Sequence, residues 1–220
     1  LLTHRERAHQ LMADPLFELA NHGWEHRNFR LLSGARLARE IDAAQLAYER
    51  IHADLRQRRC LARTGRLAHE RAPPQLTLFR FPFGACNPET LAAVNDRGLL
   101  AVQWDVSAAD PWQGQTAERM ATSVIARTRP GSILIFHANG RGWHTARALP
   151  AIVAGLERRG FRFTTVTGLL AIPGARPVIS EACFDVRPGD ANRYDDLGRR
   201  LEAKYQEFYD TAGVPASGQR

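Results

Sequence analysis

An α/β fold with a mainly parallel sheet or barrel is the architecture the sequence predicts, and three observations predict it. Short apolar runs alternate with helix-patterned segments, the connections between them are short, and Gly or Pro stands where several of the helices should stop. The 220 residues suffice for one sizeable domain and do not require two.

The elements follow in order. The chain opens inside a helical segment, "THRERAHQLMAD", and "LFELAN" (16–21) then reads as a short strand. Residues 35–57 have helix-forming composition, with Leu37, Ile41, Ala44, Tyr48, Ile51 and Leu55 at helical spacing on one face. "QLTLFRF" (75–81) is β-like. "NPETLAAVNDRG" (87–98) opens with an Asn cap and a Pro in the first turn and closes on Gly98. "LLAVQWDV" (99–106) reads as a strand, residues 116–131 as a helix ending at Pro130-Gly131, and "SILIF" (132–136) as a buried strand. A helix over 145–160 ends at Gly160, and "FRFTTV" (161–166) reads as one more strand. From about 172 the pattern becomes loop-rich, then an amphipathic helix "DLGRRLEAKYQEFYD" precedes a frayed tail. No internal repeat is present. The expected organisation is a domain over 1–171 and a loop-plus-helix extension over 172–220.

Composition narrows the function classes. Apolar residues at 44% and charged residues at 24% are soluble-globular values, and no apolar run approaches the ~20 residues of a membrane span. The formal charge of +7 favours acidic partners, but the arginines are scattered through "RQRR", "ERR" and "GRR" with no zinc-finger, RNP or basic-zipper pattern, so no specific nucleic-acid partner is expected. The three cysteines, Cys60, Cys86 and Cys183, form no CxxC pair. One disulfide with a leftover thiol and three free thiols both fit that spacing.

Active sites of α/β folds gather beyond the carboxyl ends of the strands. Four successive strand ends here carry chemistry: His22 and His26 in "NHGWEH", Arg80 in "FRFPFG", Asp110 in "DVSAADPW", and His137 after "SILIF". Two histidines four apart can share a zinc ion, although such a pair alone is more often surface polarity. Arg80 alone would read as an ion-pair partner, Asp110 as a turn former before proline, and His137 as a histidine capping a strand. Their order and joint occurrence point instead to a metal-hydrolase site. His144, in "GRGWHT", competes with His137, which is preferred because it directly follows the strand.

The chain resembles the polysaccharide deacetylases of the NodB-homology type, also called carbohydrate esterase family 4. "ELANHGWEHRNF" is similar to that family's His-x-x-x-His motif, "FRFPFG" to its Arg-x-Pro-aromatic-Gly segment, "VQWDVSAADPW" to its fourth motif, and "PGSILIFH" with "GFRFTTVTGLL" to its fifth motif and terminal strand. The resemblance runs from roughly residue 5 to 170. It implies a deformed (β/α) barrel, a divalent metal (usually zinc) and hydrolysis of the N-acetyl group of an acetylamino-sugar polysaccharide, chitin-like or peptidoglycan. Carried over by motif, His22 and His26 would be metal ligands, His137 the general acid for the leaving amine, Arg80 the group that orients the general base, and Asp110 the group that orients His137. The backbone N–H of Phe83 would hold the oxyanion, Ile135 would line the acetyl pocket, and Trp112 would border the substrate groove. A polymeric glycan substrate implies export.

Two departures from the family pattern stand out. The family's Asp-Asp motif, which supplies the general base and the third metal ligand, is not found ahead of His22, where Asp14 in "MADPLF" reads as a helix-end turn. Asp195-Asp196 lies in the loop-rich tail with no strand before it. With Leu1 in place of methionine, the expectation is a chain incomplete at the amino terminus, its first βα segment lying upstream. The alternative is a non-catalytic carbohydrate-binding or regulatory relative that has lost this motif. In the fourth motif, Ser107 stands where Asp is common, and Pro111 separates Asp110 from Trp112.

Overall fold

The structure, a computed structural model, describes residues 2–58, 72–138, 140–179, 183, 199–200, 203–204, 206–207 and 210–211. The chain divides into two compact units, one of Leu1–Val102 with Val178–Arg220, the other of Gln103–Pro177.

The first unit begins with α1 (Arg5–Ala13), which ends at Asp14, whose Oδ1 accepts the Leu16 N–H at 2.9 Å. The long α2 (Gly34–Arg58) buries the predicted stripe of Leu37, Ile41, Tyr48, Ile51 and Leu55. Tyr48 keeps its polar end satisfied by donating to the Pro73 carbonyl at 2.6 Å, and burial pushes its phenol up to about 12. Strand β1 (Leu78–Phe79) is followed by a tight turn over Pro82–Gly84 and then by α3 (Pro88–Asn95). Asn87 and Thr90 form a reciprocal capping box at the start of α3, and Gly98, at φ 68°, takes the left-handed turn that returns the chain. Strand β2 (Leu100–Ala101) then pairs parallel with β1, with Leu78 opposite Leu100 and Phe79 opposite Ala101. Phe29, Phe79 and Phe81 pack with ring centroids 5.0–5.5 Å apart at the centre of this core.

The second unit repeats the device. Strand β3 (Val106–Ser107) runs through α4 (Ala117–Arg127) to β4 (Leu134–Ile135), again a parallel pair, with Val106 opposite Leu134 and Ser107 opposite Ile135. Parallel neighbours require such a crossover, which is why helix and strand alternate in the sequence. The amphipathic α5 (Thr145–Arg158) buries Ala148, Ile152 and Leu156 with Met120, Ala121 and Val124 of α4 and Val106 of β3. The unit ends with the short α6 (Val166–Leu170).

Three expected strands are changed. In 16–21 only Asn21 pairs, as an isolated bridge to Phe79, while Leu16 and Phe17 are exposed. The run 99–106 is two strands, because its first part pairs with β1 and its last with β4, and the chain changes partner at Val102–Asp105. Residues 161–165 join no sheet among the described residues: Phe161 N–H donates back to the Leu156 carbonyl, and the Thr165 hydroxyl caps α6 by accepting from Gly168 N–H. Alternation of apolar and polar residues suits a strand, but a Thr that caps a helix competes with the ladder. The described residues between 199 and 211 are helical, whereas Asp195, Asp196 and Cys60 lie outside the described residues.

Candidate active site

In the first unit, "NHGWEH" is suspended between β1 and α2. Asn21 is buried and bonded on both sides: its N–H donates to Leu78, its carbonyl accepts from Arg80 N–H, and its side chain donates to the Ile41 carbonyl at 3.0 Å. His22 Nδ1–H donates to the Arg80 carbonyl at 2.6 Å, which assigns the proton to Nδ1 and makes Nε2 the basic nitrogen. His26 lies with its ring centroid 4.9 Å from that of His22, edge to face, and 4.7 Å from that of Phe83. Arg80 is half-buried, and desolvation by that burial lowers its pKa.

The donor set suits a borderline-soft cation such as Zn²⁺: two imidazoles in edge-to-face contact, one of them held in its orientation by a carbonyl. It amounts to two candidate ligands. Among the described residues no group of three or more His, Cys, Asp or Glu is arranged to hold a metal ion.

In the second unit the chemistry centres on a buried carboxylate. Asp110 is 1% exposed, and its Oδ1 accepts from His137 Nδ1–H at 2.9 Å. Its Oδ2 accepts from His137 N–H at 2.6 Å and from the Thr145 hydroxyl at 2.8 Å. Burial alone would raise the pKa of Asp110, but the hydrogen bonds from the His137 ring and backbone and from Thr145 hold it below the usual carboxylate value. Gly142 closes over this network, and a Cβ there would collide with Thr145 Oγ1 and the His137 carbonyl. Ile135 is buried in β4. Trp112 is exposed, with the Arg119 guanidinium 5.5 Å from its ring centroid, and its backbone N–H donates to the Ala109 carbonyl. His144 stands at the start of α5 with no cap bond from its side chain, while His137 engages the carboxylate.

The predicted residues therefore fall into two groups, His22, His26, Arg80 and Phe83 in one unit and Asp110, Trp112, Ile135 and His137 in the other. The described non-glycine residues with positive φ all lie in these motif segments: His26 (58°), Phe83 (60°) and Ala109 (54°). Left-handed backbone is unfavourable for side chains with a Cβ and is kept where the surroundings over-determine it, typically at functional sites. Sequence reasoning missed Glu40, Thr145 and Gly142. The one available signal was Glu40, a charge on the otherwise apolar face of α2 between Leu37 and Ile41.

No family model matches the chain. Over 95 residues it is 35% identical to a chitooligosaccharide deacetylase of Bradyrhizobium sp., the match covering 37% of this chain and 42% of that protein. Over 92 residues it is 28% identical to a peptidoglycan-N-acetylglucosamine deacetylase of Bacillus cereus, covering 41% of this chain and 33% of that protein. The chain thus spans less than half the length of these curated relatives. Among solved structures, a CE4 family pseudoenzyme from Bacillus anthracis superposes with a TM-score of 0.59 at 20% identity, over 76% of this chain and 51% of that one. A mutant of the peptidoglycan deacetylase PdaC from Bacillus subtilis does so with a TM-score of 0.53 at 20% identity, over 84% of this chain and 70% of that one. At these identities the structural likeness is one of fold. The curated relatives are polysaccharide deacetylases, and the fold is that of solved members of carbohydrate esterase family 4, the family whose motifs the sequence resembles.

Proposed function

We propose that this chain carries the histidine pair and the proton-delivering histidine of a metal-dependent N-deacetylase acting on acetylamino-sugar polysaccharide, chitin-like or peptidoglycan. The observation that carries the reading is the hydrogen bond from His137 Nδ1–H to the buried Asp110 carboxylate. That bond fixes the tautomer and leaves Nε2 as the nitrogen that would pass a proton to a leaving amine.

His22 and His26 would hold the ion, most simply Zn²⁺. A bound Zn²⁺ supplies Lewis-acid polarisation of the amide and acidification of water. The backbone N–H of Phe83 would donate to the developing oxyanion, a contribution on the order of 3 kcal/mol. The Arg80 guanidinium would orient a carboxylate base, Ile135 would bound the acetyl methyl, and Trp112 would offer a face to a sugar ring. The Cys86–Cys183 disulfide supports an oxidising compartment and hence export to the periplasm, cell surface or exterior. No helix among the described residues is long and apolar enough to cross a membrane.

A second reading, a non-catalytic carbohydrate-binding or regulatory relative, is favoured by the described residues holding two candidate ligands rather than three. Acetate release from chitooligosaccharides by the full-length protein separates the two. The deacetylase reading expects release that stops on chelation and returns with zinc. Tight oligosaccharide binding with no acetate at any zinc concentration would replace it with the second.

A further inference from the structure

Glu40 has a place that the chemistry above does not use. It projects from α2 at 3% exposure, where an isolated ionised carboxylate is strongly disfavoured. Its Oε2 accepts two backbone N–H bonds, from Trp24 at 3.0 Å and from Glu25 at 2.9 Å. Those amides are the middle of the His22–His26 loop. Its Oε1 lies 3.8 Å from Arg27 Nε, and Arg27, itself buried, is bonded to Glu25 at 2.6 Å.

The neighbouring turn of α2 holds the other end of the same loop. The Ile41 carbonyl accepts from the Asn21 amide, and Asn21 Oδ1 accepts from Gly23 N–H at 3.0 Å. Gly23 has φ 75°, and a Cβ on it would press against Glu40 Oε2 and the Phe29 ring at 3.1 Å. Residue 23 thus needs glycine both for its backbone and for the approach of the carboxylate. His26 then turns through φ 58°, a conformation that needs outside support.

We propose that Glu40 is a positioning residue for the histidine pair: by binding the Trp24 and Glu25 amides it folds the loop so that the His22 and His26 imidazoles converge on one ion. This rests on the metal-binding reading of that pair. Such an acceptor acts through an oxygen with two lone pairs, so glutamine can replace it and alanine cannot.

The test uses the full-length protein and two variants, Glu40→Gln and Glu40→Ala, with His22→Ala as control. Zinc affinity by chelator competition and amide exchange at Trp24 and Glu25 in metal-free protein are measured well below the melting temperature of each variant. The expected result is a 10–100-fold weaker zinc affinity in Glu40→Ala, the usual size of an effect transmitted through a ligand's support, with faster exchange at both amides. Glu40→Gln should stay within about threefold of wild type in affinity and keep both amides protected. Unchanged zinc affinity in a folded Glu40→Ala, unchanged exchange at both amides, or a Gln variant as impaired as the Ala variant would each overturn the proposal. Failure of the metal reading looks different: wild type and His22→Ala would then take up zinc equally, and the exchange at Trp24 and Glu25 would decide the role of Glu40 by itself.

Discussion

In the first unit the histidines are placed by the backbone around them; in the second, the histidine is placed by a carboxylate against its own ring. His22 and His26 belong to a loop whose amides and carbonyls are bonded to β1 and α2, and the loop's shape depends on Asn21, Gly23 and Glu40. His137 is bonded directly to Asp110, which Thr145 and the His137 N–H hold in place. A ring held through the backbone has a settled position, whereas a ring bonded to a carboxylate has, in addition, one nitrogen committed and the other left for exchange. The first arrangement suits a ligand that must meet another ligand, and the second suits a group that must gain and lose a proton.

The units also differ in how they are tied. Cys86, just after the Phe83 turn, is bonded to Cys183, 97 residues on, and the second unit has no cysteine at all. Closing a loop of that length contributes about 4–5 kcal/mol in the chain-entropy account. Reduction, or Cys86→Ser, is therefore the largest expected loss of stability. It should appear in hydrogen exchange at α2 and α3, which share the first unit with both cysteines; unchanged exchange there would contradict the tie.

Asp110→Asn should come next. Removing the carboxylate from His137 is expected to lower acetate release by about 100-fold, at the lower end of what a positioned acid contributes. It should also flatten the acid limb of stability. A carboxylate whose folded pKa is depressed binds fewer protons folded than unfolded, so its contribution is present above the ordinary carboxylate value and is lost as pH falls through the depressed one. A wild type whose stability does not fall over that acid range would contradict the hydrogen-bond assignment.

Gly142→Ala should destabilise the second unit by about 1–3 kcal/mol, the range for forcing atoms into a packed site, and should slow turnover without touching zinc affinity. Thr145→Val removes one hydroxyl donor to Asp110 and should cost about 1 kcal/mol, read from urea unfolding. Loss of bound zinc in either variant would mean that the division of labour between the two regions is wrong.

Much of this arrangement was legible before any coordinates. The stripe on α2, the Asn87 cap with Pro88, and the stops at Gly98 and Gly160 are local signals, and each element formed where its signal lay. The strands were less legible because each is a two-residue pairing inside a longer apolar run. Nothing local marks the change of partner at Val102–Asp105, and "FRFTTV" alternates like a strand although Thr165 caps a helix. The motif residues were legible through their order at successive strand ends. Their supports were not, because Thr145 lies 35 residues from Asp110 and Glu40 lies 16 from Trp24, distances over which no periodicity speaks.

The central claim is that His22 and His26 bind metal while His137 moves a proton. It is tested most directly by measuring zinc content and acetate release together in full-length wild type, His22→Ala and His137→Ala. The account predicts that His22→Ala loses both zinc and activity, and that His137→Ala keeps its zinc while acetate release falls by a factor on the order of 100–10,000. Zinc retained at wild-type level in His22→Ala, or acetate release undiminished in His137→Ala, would contradict it.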